Sequence, residues 1–215
     1  MLSKLDEYAA QAREEFERIH QSREAAYTTS RQVVQSASAT IKQVHRQEWD
    51  EADAALAETR RLYQAMMAAV QSSPEVGLGG FVADAGREYV EAGVVLSLIR
   101  DSDLPGPADM GVSCTEWLNG LADAVGELRR HVLDLIRQSQ VDEAEPYLTA
   151  MDEIYQTIMS YDYPNSVTSG LRGRSDAARG LVERTRGDLT NALRQARLEQ
   201  RMVEMAERMG LPPDA

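Results

Sequence analysis

The sequence predicts an all-α fold: long antiparallel helices packed as a single bundle of about six or seven. Three observations carry this. No proline or glycine occurs before Pro74, so nothing early in the chain breaks a helix. Apolar and small residues recur at helical spacing, at Leu5, Ala9, Ala12, Phe16 and Ile19 and again at Val33, Val34, Ala37, Ile41 and Val44. No segment sustains the period-two alternation of β-branched residues that a half-buried strand requires.

The elements follow in order. A first helix runs to about Arg46, and a second from about Glu48 to Val70 carries Trp49, Ala52, Leu56, Leu62, Tyr63 and Met66. Between them, "HRQEWDEAD" offers no strong breaker. "SSPEVGLGG" is a clear loop. A third helix, "DAGREYVEAGVVLSLI", ends near Ile99, and the prolines and glycines of "RDSDLPGPADMGVS" make the next loop. A fourth, about Thr115 to Gln138, has the apolar face Trp117, Leu118, Leu121, Val125, Leu128, Val132 and Leu135. A fifth spans about Asp142 to Met159 with Pro146 in its first turn, where proline is tolerated. After the loop "SYDYPNSVTSGLRGR", Ser175 followed by Asp176 reads as the N-cap of a last helix reaching Met209. One domain over residues 1–210 with a flexible tail at 211–215 is the expected organisation.

Composition narrows the function. The 215 residues carry a net charge of -12, and only Lys4 and Lys42 are lysines, so the basic side chains are almost all arginine. Such a chain does not bind nucleic acid indiscriminately; it would need a concentrated basic patch on an acidic body. One cysteine, Cys114, excludes an intramolecular disulfide and fits a reducing compartment; it is expected as a small buried or half-buried residue. The N-terminus has no signal-peptide apolar core, and no window approaches a membrane span. A cytoplasmic chain with no membrane partner is expected.

Two pairs of carboxylates stand out. Residues three or four apart in a helix lie about 60° or 40° apart around its axis. Glu88 and Glu91 therefore share a face, with Asp84 a turn earlier and the core-like Val95 and Leu98 beyond. This is either an acidic helix entrance or a site. Asp123 and Glu127 share a face of the fourth helix with Glu116, Gly120, Arg130 and Asp134, which by itself reads as solvated. Brought together, the two pairs would form a hard, oxygen-rich site suited to Mg²⁺ or Mn²⁺. Such ions hydrolyse phosphodiesters by activating water and neutralising charge. A di-iron site is not expected, because it needs a Glu-x-x-His motif on each of two helices, and among His20, His45 and His131 only His20 lies three residues after a glutamate, Glu17.

"REYVEA" with "WLNGLADAVGELRRHVLDLI" resembles the translin and translin-associated factor X (TRAX) family, above all its factor X-type and archaeal members. "YDYPNSVTSGLRGRSDAARGLVERTRGDL" is similar to the family's C-terminal segment in archaeal members. The resemblance extends loosely over nearly the whole chain. It implies a translin-like helical bundle that assembles into a closed homo-octameric barrel and binds single-stranded RNA, with DNA as a further partner. Factor X-type members are Mg²⁺-dependent endoribonucleases. Carried over by motif, Glu88, Glu91, Asp123 and Glu127 would be the catalytic, metal-binding acids. The alternative is a translin-like protein that binds single strands without cutting them.

Candidate nucleic-acid contacts are Arg31, Lys42, His45 and Arg46 on the first helix, Arg87 beside the acids, and Arg129, Arg130 and His131. Each arginine also reads as an exposed helix residue or one half of an ion pair. Single strands usually need stacking aromatics, for which Tyr89, Trp117 and Tyr161 are available, although core packing suits each. "VVLSLIRDSDLPG" superficially resembles the strand and D-x-D loop of haloacid-dehalogenase phosphatases, with Asp101 as nucleophile and Asp103 as acid, but that fold needs strands this pattern lacks.

Overall fold

A computed structural model describes residues 4–209. The tail expected at 211–215 lies outside the described residues. Eight α-helices and no strand occur among those described: α1 (Leu5–His45), α2 (Trp49–Ser72), α3 (Gly80–Ile99), α4 (Pro107–Met110), α5 (Cys114–Arg137), α6 (Glu145–Met159), α7 (Asn165–Thr168) and α8 (Leu171–Arg208). The single-turn helices α4 and α7 fall in segments expected as loops. Among the described residues, no helix is long and apolar enough to cross a membrane. The chain divides into two compact units, residues 1–121 and 122–215, with the division inside α5.

In the first unit α1 and α2 form an antiparallel hairpin. The buried seam of α1, Ala26, Ser30, Val33, Ala37, Thr40 and Val44, steps alternately by four and three residues, which keeps one stripe turned to its neighbours, with Ile41 buried beside it. Small residues on the seam let the backbones approach closely. There the Ser36 hydroxyl donates to the Ala55 carbonyl (3.1 Å) and Thr59 donates to Ser36 Oγ (2.8 Å). The turn between the helices uses Gln47 in the left-handed region (φ 60°), closed by the Glu48 N–H donating to the Gln43 carbonyl (3.0 Å). Asp101, Ser139 and Ser169 also take positive φ in the connections that follow α3, α5 and α7. Non-glycine residues there cost free energy, and they explain why glycine did not mark these ends.

The first turns of α1 differ from expectation. Leu5 and Phe16 face solvent instead of a core, and Tyr8 near them is exposed as well. The cause is length: α1 has 41 residues and α2 only 24. The end of α2 is tied to α1 where Arg18 donates to the Ser72 carbonyl (2.8 Å) and to Ser73 Oγ (2.6 Å). The α1 residues before Arg18 therefore extend beyond that partner.

α3 packs against α1 and α2 and is buried on most sides, with Tyr89, Val90, Ala92, Val94 and Val95 inside. α5 meets it through two glycines. A Cβ at Gly120 would sit 2.6 Å from Val90 side-chain atoms and 2.8 Å from the Arg87 carbonyl oxygen, and one at Gly86 would sit 2.0 Å from Glu116 Oε1. Gly120 and Glu116 are thus packing residues, which corrects their place on a solvated stripe. Glu116 closes a capping box: its Oε2 accepts from the Ser113 N–H (2.8 Å), and its own N–H donates to Ser113 Oγ (3.1 Å). The Tyr63 hydroxyl donates to both Glu116 oxygens (3.1 and 3.2 Å). Burial, then the Glu116 charge, raises the Tyr63 phenol well above its ordinary value. Cys114, expected to be at least half-buried, is exposed at the first residue of α5.

In the second unit the expected α5 face is buried from Val125 through Leu128, Val132 and Leu135. α6 adds Leu148, Met151, Ile154 and Ile158, with Pro146 in its first turn. α8 adds Leu171, Ser175, Ala178, Val182, Thr185 and Leu189, again stepping by four and three. Ser175 was expected as the N-cap, but α8 begins earlier, at Leu171. The left-handed Ser169 and Gly170 (φ 51° and 87°) turn the chain into the helix, and Ser175 becomes a buried seam residue.

Candidate functional site

The two acid pairs sit in different surroundings. Glu88 and Glu91 lie on α3, in the first unit, each half-buried. The Glu88 carboxylate is 3.2 Å from the Arg87 guanidinium, which also stands 3.6 Å from Asp84. The Arg87 side chain is only 16% exposed, so the helix's own arginine supplies countercharge at a largely dry position. Glu88 on this apolar helix thus has a partner one residue away.

Asp123 and Glu127 lie on the part of α5 that belongs to the second unit. Asp123 is 20% exposed, and both its oxygens accept from Arg174 Nη1, at 2.6 and 2.9 Å. Arg174 comes from the start of α8, 51 residues away in sequence. Glu127 is 26% exposed and pairs with Arg130 at 3.4 Å. This face is therefore half-buried and not plainly solvated. Arg174 is the residue the sequence reading missed. Its one signal was a position within "GLRGRSDAAR", the segment similar to the family's C-terminal part.

Chemically the four acids are hard oxygen donors, the kind that hold Mg²⁺ or Mn²⁺. Their arrangement is not a preformed cage: among the described residues, no group of three or more His, Cys, Asp or Glu side chains could hold a metal ion. What the geometry shows is Glu88, Asp123 and Glu127 each paired with an arginine.

The candidate basic contacts separate into two kinds. Arg31, Lys42 and Arg46 are exposed. Arg31 and Lys42, eleven residues apart, point within about 20° of each other around α1, and Arg46 follows as the residue that caps the helix. His45 is half-buried beside them. By contrast, Arg129 is 19% exposed, donating to Thr185 Oγ1 (2.9 Å) and Asp188 Oδ2 (2.8 Å), and so braces α5 against α8. Arg130 is mostly exposed next to Glu127, and Arg87 is engaged with Asp84 and Glu88. His131 packs edge-on against Tyr147, with ring centroids 4.5 Å apart.

The aromatics also divide. Tyr89 is buried against Tyr63, and burial raises its phenol above the ordinary value. Trp117 is half-buried, its Nε1–H donating to the Pro105 carbonyl (2.9 Å). Tyr161 is exposed.

No protein-family model matches the chain. An uncharacterized protein of Methanocaldococcus jannaschii is 31% identical over 124 residues, which span 57% of this chain and 55% of that protein. This chain therefore matches about half the length of that relative. Among solved structures, that of AfC3PO in complex with duplex RNA is 31% identical with a TM-score of 0.82, covering 89% of this chain and 98% of the other. AfC3PO crystallised by itself gives 30% identity, a TM-score of 0.81 and coverage of 89% and 99%. Apo-NeC3PO, at 18% identity and a TM-score of 0.78 over 89% and 98% of the two chains, shares the fold. With 31% identity to a C3PO chain that it covers almost end to end, this chain belongs to the translin/TRAX family.

Proposed function

We propose that this chain binds RNA. The observation that carries the reading is its likeness along nearly its whole length to AfC3PO, whose structure holds duplex RNA. On a body of net charge -12, phosphates would be met by local arginine-rich surface, and the exposed Arg31, Lys42 and Arg46 are the open candidates at α1. Assembly of copies into a closed ring suits the same reading. Leu198, Met202, Met205 and Met209 form an exposed apolar stripe at the end of α8, and Leu5, Tyr8 and Phe16 another on α1, surface that a lone chain leaves in water. DNA is a second single-strand partner to test. The experiment is a titration of fluorescent single-stranded and duplex RNA with the full chain. Anisotropy should rise, and the log of the affinity should fall linearly with log salt. A flat signal at low salt for both forms ends the reading.

The finer reading is Mg²⁺- or Mn²⁺-dependent hydrolysis of RNA at Glu88, Glu91, Asp123 and Glu127. What favours it is that Glu88, Asp123 and Glu127 are each about one-quarter exposed or less, which is unusual for side chains whose only role is solvation. When bound, the ion would supply charge neutralisation on the phosphate and an activated water. Mg²⁺ is usually held by one or two carboxylates, waters and substrate phosphates, so either pair is of the right kind to contribute once RNA is present. Arg87 and Arg174 pair with Glu88 and Asp123 and orient them until then. Binding should survive EDTA, and cleavage should not.

A further inference from the structure

We propose that the last turns of α8 present an arginine edge, Arg194, Arg197, Arg201 and Arg208, that binds the phosphate backbone of RNA. The inference rests on the RNA-binding reading above and adds a charged surface which that reading does not use. Successive helical residues lie about 100° apart around the axis, so these four side chains fall within a sector of about 60° and follow one another along about 21 Å of helix. All four are exposed, and among the described residues none of α8 beyond Leu189 is buried. The edge therefore stands open to a partner.

Pairing separates these arginines from others on the same helix. Arg174, Arg179 and Arg186 stand 2.6, 2.9 and 3.1 Å from Asp123, Glu183 and Asp152. Arg194, Arg197, Arg201 and Arg208 make no ion pair among the described residues. The nearby acids face glutamines instead: Glu199 Oε1 accepts from Gln195 (3.0 Å), and Glu204, within a turn of Arg201 and Arg208, accepts from Gln200 (3.4 Å). No acid stands three or four residues from Arg194 or Arg197, while Arg197 lies three residues from Arg194 and four from Arg201. Like charges at those spacings repel across the helix surface, and a bound polyanion relieves the repulsion. A row of guanidiniums matches a row of phosphates, each of which can take two parallel N–H donors. The edge is thus the concentrated basic patch that a chain of net charge -12 needs in order to hold nucleic acid. Leu198, Met202, Met205 and Met209 occupy the adjoining sector, which makes a second copy of the chain the competing occupant.

The test uses the full chain and fluorescein-labelled single-stranded oligouridine, with binding followed by anisotropy over a series of KCl concentrations. Each phosphate contact steepens the fall of log affinity with log salt by about 0.7 on a single strand. Arg194→Gln/Arg197→Gln/Arg201→Gln should therefore make the slope shallower by about 2 and weaken binding at least about tenfold near 0.1 M salt. Arg194→Lys/Arg197→Lys/Arg201→Lys, which keeps the charge, should restore most of the slope. Arg61→Gln/Arg179→Gln/Arg186→Gln removes the same net charge at arginines already paired with acids, and its slope should stay within about 0.5 of wild type. Far-UV circular dichroism checks that the variants stay helical. If the first glutamine variant keeps the wild-type slope, the edge is wrong while RNA binding stands. If the paired-arginine control loses as much slope, only net charge matters and the proposal is overturned. If wild type binds no oligouridine at low salt, RNA binding itself is wrong and the edge goes with it. If light scattering shows that the first glutamine variant loses mass per particle, the edge is an interface between copies and the proposal is overturned.

Discussion

The acid pair on α3 and the acid pair on α5 are both half-buried, yet they are held by opposite means. Glu88 is countered by Arg87, its neighbour on the same helix. Asp123 is countered by Arg174, delivered from α8 across 51 residues of sequence. The first arrangement exists as soon as the helix forms. The second exists only when α5 and α8 have docked. One pair therefore reports on local structure and the other on tertiary packing, and substitutions should separate them.

The largest effect should come from forcing apart the contact on which α3 and α5 depend. Gly120→Val places side-chain atoms where Val90 and the Arg87 carbonyl already lie and should cost about 3 kcal/mol in urea unfolding, the upper end for an overpacked core. A loss below about 0.5 kcal/mol would mean that the close approach at Gly120 does not matter.

Next is Arg174→Ala, which leaves Asp123 at a mostly dry position without the guanidinium nitrogen from which both its oxygens accept. A cost of about 1–3 kcal/mol is expected. Glu88→Gln, which keeps the shape and removes a charge facing a neighbour, should cost less than about 1 kcal/mol. Equal costs for the two would erase the contrast between a packing-dependent and a helix-borne ion pair.

This contrast also accounts for what was legible in the sequence. The helices were, because each carries its own periodicity: the α5 face from Leu118 to Leu135 is buried as its spacing requires. Helix ends were less so. Gln47 and Ser139 adopt left-handed φ without glycine, and Ser175 looks like a cap although the helix starts four residues before it. The acids were legible as same-face pairs, but their surroundings were not. Gly120 and Glu116 looked like a polar stripe because spacing cannot say that a neighbouring helix covers them. Arg174 was invisible as a partner of Asp123 because nothing local links positions so far apart. Tyr161 could be named as a stacking candidate, but only its exposure distinguishes it from the buried Tyr89.

A smaller effect, with a pH signature, belongs to Tyr63. Its phenol is raised in the folded state, so the stability it contributes is fully present below about pH 10, the ordinary tyrosine value, and is lost as pH rises from there through the higher folded value. Tyr63→Phe should cost about 1 kcal/mol near neutrality through the missing bond to Glu116, and it should flatten the fall in stability above pH 10. Thermal unfolding from pH 8 to 11 checks both. An unchanged alkaline slope would show that another group sets it.

The most direct test of the account is cleavage of end-labelled single-stranded RNA by the full chain in Mg²⁺, comparing wild type with Glu91→Ala and Asp123→Ala and measuring RNA binding in parallel. The account predicts that wild type cuts, that EDTA stops it, and that each variant loses at least a hundredfold in rate while still binding RNA. Equal cleavage by all three proteins, or none by wild type in either Mg²⁺ or Mn²⁺, would contradict it.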